Sequence, residues 1–171
     1  MKIVALSFSL IFLLNFMPEP QPRVFLIGDS TMANKKVGDA PETGWGQVFQ
    51  AFFTDKVDIR NHAVNGRSTK SFREKGHWQE VWEQLKKDDY VIIQFGHNDA
   101  KADDSTRFAP AQTAYRENLI RYIQEIKSKG AIPILATPVF RRQFDEKGNL
   151  QDSHADYPSV VKTIAKNQNV D

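Results

Sequence analysis

The sequence predicts an α/β fold, a parallel sheet with helices packed on its faces, and three observations carry that prediction. Short apolar runs alternate with longer helix-like stretches, the chain order of strands joined by crossover helices. The runs "VFLI" and "YVIIQF" are almost continuously apolar, as strands buried on both faces are. The polar clusters "GDST", "NGRST", "GHND" and "TPVFRR" each follow a candidate strand. In an open α/β sheet that places four segments at the rim beyond the carboxyl ends of the strands, where ligands bind.

The first strand spans Val24 to Ile27, the second Val57 to Val64, the third Tyr90 to Phe95 and the fourth Ile132 to Thr137. The clearest helix runs from Pro110 to Lys129. Its residues Tyr115, Leu119, Tyr122, Ile123 and Ile126 share one face, Pro110 suits the first turn and Gly130 the exit. Shorter helices are expected over Trp45 to Phe53 and His77 to Lys87. Another, over Ser159 to Asn167, is opened by Pro158 and turns Val160, Val161, Ile164 and Ala165 inward.

A chain of 171 residues, 40% hydrophobic and 26% charged, is long enough for one core and short for two. The net charge of +2, with both signs scattered, offers no basic stripe for nucleic acid. Without cysteine there are no disulfides, thiol nucleophiles or thiolate metal sites. No His-Glu-x-x-His or carboxylate cluster points to a metal, and "GWG" lacks the third glycine and the preceding strand of a dinucleotide fingerprint, so no cofactor is expected.

Residues 1–20 open with Lys2, continue through an apolar run from Ile3 to Phe16 and break at "MPEPQP". That order matches a secretory signal, and the run is short of the about 20 residues of a membrane span. A signal peptide or N-terminal anchor over 1–20 and a secreted or periplasmic protein are the expectations. A buried N-terminal helix is the alternative, opposed by Pro18, Pro20 and Pro22.

Three residues on the rim could carry chemistry. Ser30, at a strand-to-helix turn, is either a nucleophile or a helix N-cap. The Gly-x-Ser-x-Gly elbow is absent, because Met32 stands where the second glycine belongs. Gly66 either lets the backbone offer an N–H to a ligand or simply closes an Asn-Gly turn. Asn98 is either an oxyanion donor or a turn former. Trp45 could stack on a sugar or pack beneath its loop, and packing is favoured.

In this order, each after its own strand, the blocks "GDS", "NG" and "GHND" resemble the SGNH (GDSL-type) hydrolases. The wider wording, "IGDSTMA", "GWGQ", "NHAVNGRSTKSF", "VIIQFGHND", "TPVFRRQFD" and "DSHADYP", resembles their rhamnogalacturonan acetylesterase branch over Arg23 to Asp171. The resemblance implies a three-layer α/β/α sandwich with a mostly parallel, flavodoxin-like sheet. It also implies Ser30 as nucleophile on an acetyl ester, with an oxyanion hole made by the Ser30 and Gly66 N–H groups and the Asn98 side chain. An acetylated acidic polysaccharide is the expected partner, with no nucleic acid, no membrane contact beyond the leader and a monomeric full-length parent. Asp29, His97, Arg67 and Arg141 are the expected substrate contacts, because a guanidinium matches a uronate carboxylate in bidentate fashion.

The chain departs from that family in one respect. The Asp-x-x-His pair that implies the base after the last strand is not found, and "NQNVD" stands where a fifth strand should begin. The expectation is therefore a hydrolase domain over 21–171 that is C-terminally incomplete, without its last strand and helix. Among the four histidines, His154 lies near Asp152 but belongs to a substrate-side loop in the resembling branch, and His62 and His77 read as structural. A broad-specificity esterase or lipase, and a non-catalytic carbohydrate-binding protein, are the rival readings.

Overall fold

The computed structural model describes residues 21–36, 38 and 41–171, and the predicted leader over 1–20 lies outside them. Four strands form one wholly parallel sheet: β1 (Arg23–Gly28), β2 (Asp58–Asn61), β3 (Tyr90–Gln94) and β4 (Ile132–Leu135), in the spatial order β2-β1-β3-β4. The expected second strand is shorter than its apolar run. Backbone bonds from His62 N to Leu26 O and from Val64 N to Gly28 O nevertheless keep the chain beside β1 as far as the rim. At the far edge, Leu135 N donates to the carbonyl of Asp171.

Strand alternation divides the core between two faces. Phe25, Ile27, Val91 and Ile93 pack under α2 (Thr69–Glu74), α3 (His77–Gln84), α4 (Arg116–Ser128) and α5 (Tyr157–Gln168) through Phe72, Val81, Tyr122, Ile126 and Val161. Val24 and Leu26 point the other way, onto Met32, Trp45 and Phe49. There the described cover is α1 (Trp45–Val48) and a 3₁₀ turn (Phe49–Phe52), so the layers are unequal.

Each departure from the expected helices has a local cause. The long helix starts as a π turn over Ala111–Tyr115, because the Pro110 carbonyl accepts from Tyr115 N, and becomes α-helical only from Arg116. All five residues expected on its inner face are buried. Helix α3 stops at Gln84 rather than Lys87: the Lys86 N–H goes to the Asp89 carboxylate, which also holds Arg23. Helix α5 begins at Tyr157, with Pro158 inside its first turn. Helix α2 was not expected. It is closed by a reciprocal box in which the Ser68 hydroxyl accepts from Ser71 N and the Ser71 hydroxyl from Ser68 N.

Two substitutions separate core from surface. Ile126→Ala, at a fully buried site between α4 and the sheet, should lower unfolding free energy by about 2–5 kcal/mol in urea denaturation. Phe52→Ala, at a side chain 78% exposed, should stay within about 0.5 kcal/mol of the parent.

Candidate active site

Directly after β1 the chain turns sharply, with the Asp29 carbonyl accepting from Met32 N and Ala33 N. Asp29, expected to touch substrate, is instead 1% exposed, and its carboxylate accepts from the Thr31 N–H and hydroxyl. The side chain that braces this turn is therefore Asp29, and the N-cap reading of Ser30 falls away. Ser30 stays partly exposed, and among the described residues neither its hydroxyl nor its N–H makes a hydrogen bond. A small residue is required opposite the turn: a Cβ at Gly44 would lie 2.0 Å from the Ala33 carbonyl oxygen, and Trp45 N donates to Thr31 O. Trp45 packs on Phe49 and donates its indole N–H to Gln94 Oε1 at 2.7 Å, so its role is packing beneath the loop.

Gly66 has φ of +72°, a conformation that side-chain-bearing residues rarely adopt. Among the described residues its N–H too is uncommitted. Asn98, 3% exposed, donates through Nδ2 to the Arg67 carbonyl at 2.9 Å and accepts at Oδ1 from Arg107 Nη1 at 3.2 Å. Those two contacts fix which end of the amide is the donor. They also leave the second N–H of Nδ2 unused. Lys35 completes the frame, because its buried ammonium donates to the Ser30 carbonyl at 2.8 Å and to Asn65 Oδ1 at 3.0 Å. Thus Lys35 ties the Ser30 turn to the Gly66 loop, and Asn98 ties that loop to its own.

Asp99 makes the deeper connection between the same two loops. It is fully buried and accepts at Oδ1 from the Thr69 N–H and hydroxyl, while its Oδ2 has no partner. Burial pushes its pKa up to about 7, only partly offset by the Thr69 bonds. Tyr122 and Tyr157 close the cage by donating to the Thr69 and Asp99 carbonyls.

The last rim loop is latched from the side. His97 Nε2 lies 2.7 Å from the Val139 carbonyl, and Arg141 Nη2 donates to the His97 carbonyl. His97 stacks at 4.5 Å on His154, whose Nε2 has no partner and whose pKa falls to about 4 through burial and the nearby His97 and Arg141. His62 stacks on Phe25 and His77 packs on Phe72. None of the four histidines is hydrogen-bonded to Ser30 among the described residues, where no group of three potential metal ligands occurs either.

Residues 26–171 match the GDSL-like Lipase/Acylhydrolase family. The chain belongs to that family. It is 40% identical over 148 residues to the rhamnogalacturonan acetylesterase RhgT of Bacillus subtilis (strain 168), covering 86% of this chain and 62% of that protein. It is 35% identical over 148 residues to the probable rhamnogalacturonan acetylesterase YesY of the same organism, covering 86% of this chain and 67% of the relative. The crystal structure of the Bacillus subtilis protein YxiM superimposes with a TM-score of 0.76 at 25% identity, covering 88% of this chain and 42% of that one. The chain thus spans about three fifths of the length of the first of these relatives, and the blocks that carried the resemblance lie within the matched residues.

Within this family frame, Ser30, Gly66 and Asn98 come to one rim, whereas Arg67 and Arg141 go to separate loops. Lys35, Gln94 and Arg107 were missed. Gln94, 6% exposed, takes the Trp45 indole and donates to the Thr137 carbonyl, so it supports the floor under three loops. Only its place as a polar residue in an otherwise apolar strand could have marked it.

Asp99 supplies a pH test. Its folded pKa lies above the ordinary 3.8, so the folded state holds this proton more tightly than the unfolded one. The associated stability is present below about pH 4, is lost as pH rises to about 7 and is flat above that. Asp99→Asn, which keeps an acceptor for Thr69, should flatten this part of the profile when melting temperature is followed by calorimetry from pH 4 to 8.

Proposed function

We propose that this chain carries the nucleophile and oxyanion hole of a secreted carbohydrate esterase that removes O-acetyl groups from pectin of the rhamnogalacturonan type. The observation that carries the reading is the pair of unused N–H groups, at Ser30 and Gly66, beside an Asn98 amide whose donor end is fixed. An oxyanion hole requires donors that are open to an incoming carbonyl oxygen, and these N–H groups are. The names of the relatives at 40% and 35% identity support an acetyl ester on rhamnogalacturonan as the substrate.

In this mechanism Ser30 Oγ attacks the acetyl carbonyl and gives up its proton to a base. The carbonyl oxygen becomes an oxyanion held by the Ser30 and Gly66 N–H groups and the free Asn98 N–H. Collapse expels the sugar hydroxyl, which takes a proton, and leaves an acetyl-serine that water hydrolyses to acetate. His154, with its pKa near 4, is too weak a base for this step at neutral pH, and it bonds to Ser153 rather than Ser30. A non-catalytic carbohydrate-binding role is the second reading, favoured by the absence of an imidazole bonded to Ser30 among the described residues.

Two measurements decide between them. A serine-reactive organophosphate should form one adduct, mapped by peptide mass to Ser30, and free imidazole should speed its formation; no adduct, or an adduct elsewhere, overturns the nucleophile. Acetate release from acetylated rhamnogalacturonan should exceed release of longer acyl groups. Ser30→Ala should abolish the catalysed part, and Asn98→Ala should slow it by about 10²–10³-fold.

A further inference from the structure

We propose that Arg107 is a positioning residue of the oxyanion hole, which orients and polarises the Asn98 amide and is itself aimed by Asp104. The inference rests on the esterase reading above and extends it to a residue that acts only through another. One guanidinium nitrogen carries the argument. Arg107 Nη1 donates to Asn98 Oδ1 at 3.2 Å, and a Cβ built on Gly66 would lie 3.7 Å from the same atom. A single cation therefore stands beside two of the three residues of the proposed hole.

The guanidinium is aimed by its other edge. Arg107 Nε and Nη2 both go to Asp104 Oδ2, at 2.6 and 2.5 Å, which leaves Nη1 turned to Asn98. Asp104 Oδ1 accepts in turn from the Thr106 N–H and hydroxyl, and the bonds from Thr106 and Arg107 hold its carboxyl below the ordinary range. Both partners are therefore charged at neutral pH. The surrounding turn is tied at three points. Arg107 N and Phe108 N donate to the Asp104 carbonyl, Lys70 Nζ reaches the Ser105 carbonyl from α2, and Ala109 N donates to the carbonyl of Asp99, next to Asn98 in the chain. With each side chain 28% exposed, the two add little to stability as an ion pair. What the pair fixes is the direction of Nη1.

That contact acts on the donor end of Asn98 in two ways. The first is orientation. Turning the amide over would set Nδ2 against the guanidinium, donor against donor, and Oδ1 against the Arg67 carbonyl, acceptor against acceptor. The second is polarisation. A charged donor on Oδ1 draws electron density toward the amide oxygen and makes the N–H groups of Nδ2 stronger donors. When the oxyanion forms, a hydrogen-bonded path runs from the cation through one amide to the new negative charge. The attraction is larger there than with the neutral carbonyl oxygen of the ground state. Arg107 should therefore change the rate of attack and leave ground-state binding nearly as it was.

The test uses the full chain with diethyl p-nitrophenyl phosphate, whose phosphoryl oxygen takes the place of the ester carbonyl oxygen, at a fixed concentration of imidazole. Saturation kinetics of nitrophenolate release separate probe affinity from the rate of Ser30 modification, and peptide mass confirms the site. R107M should slow modification by about 10–100-fold, with probe affinity within about twofold of the parent. In an N98A background the same substitution should change the rate by less than about twofold, because the amide through which it acts is gone. Modification of R107M as fast as the parent, or a loss confined to probe affinity, overturns the role of Arg107 and leaves the nucleophile standing. A loss of equal size in both backgrounds does the same, since it marks a residue needed only for folding. No modification of Ser30 in the parent overturns the hydrolytic reading and the role of Arg107 with it.

Discussion

Parallel pairing on both sides of β1 is the constraint on which the rest of the structure depends. With the order β2-β1-β3-β4, the crossover from β1 leads to one side of the sheet and the next crossover returns past β1 to the other. The loops leaving β1 and β3 therefore diverge, and a crevice opens beyond their carboxyl ends. The registers Leu26 with Asn61 and Gly28 with Gln94 bring the following loops to the same height. Ser30, Gly66 and Asn98 meet there because three strands end together, although 68 positions separate the first from the last.

Ending together is not enough to keep donors aimed, since each loop could relax by turning its N–H groups inward. Polar side chains buried between the loops prevent that. Lys35 spans the Ser30 and Asn65 segments, Asn98 reaches the Arg67 carbonyl and Asp99 holds Thr69 at the first turn of α2. A carboxyl as buried as Asp99 would be costly if ionised without a cation, which explains both its raised pKa and the use of hydroxyl and amide donors around it. These braces hold the Ser30, Gly66 and Asn98 donors in place without any ligand, which is the preorganisation that the proposed oxyanion hole requires.

The sequence reading reached those parts of the molecule that local chemistry determines. The buried strands and the inner face of α4 follow from apolar periodicity; Gly130 lies at the exit as expected, whereas Pro110 opens the π turn that precedes α4. Helix α2 escaped because "TKSFRE" offers only Phe72 to the core and its capping box uses Ser71 where a glutamate would have been the usual sign. Lys35, Gln94 and Arg107 escaped for a different reason. Their partners lie 30, 43 and 9 residues away, and no spacing rule connects a surface-type side chain to a distant carbonyl or amide. Asp29, expected at the substrate, is buried beneath the turn that it braces. Its real partner is the Thr31 backbone two positions on.

The stacked imidazoles show how the remaining rim loop is fixed without adding charge. His97 faces the Val139 carbonyl through Nε2, an acceptor that requires the proton on that nitrogen. Its ring lies 4.5 Å from His154, and two imidazolium ions at that distance would repel. Burial and the Arg141 guanidinium push the His154 pKa down to about 4, so that ring is neutral across the range in which an esterase with a serine nucleophile would work. A neutral, buried imidazole packs well and carries protons poorly. The pair therefore reads as a latch between the "GHND" loop and the residues after β4. It ties the segment bearing Asn98 to the residues that follow β4.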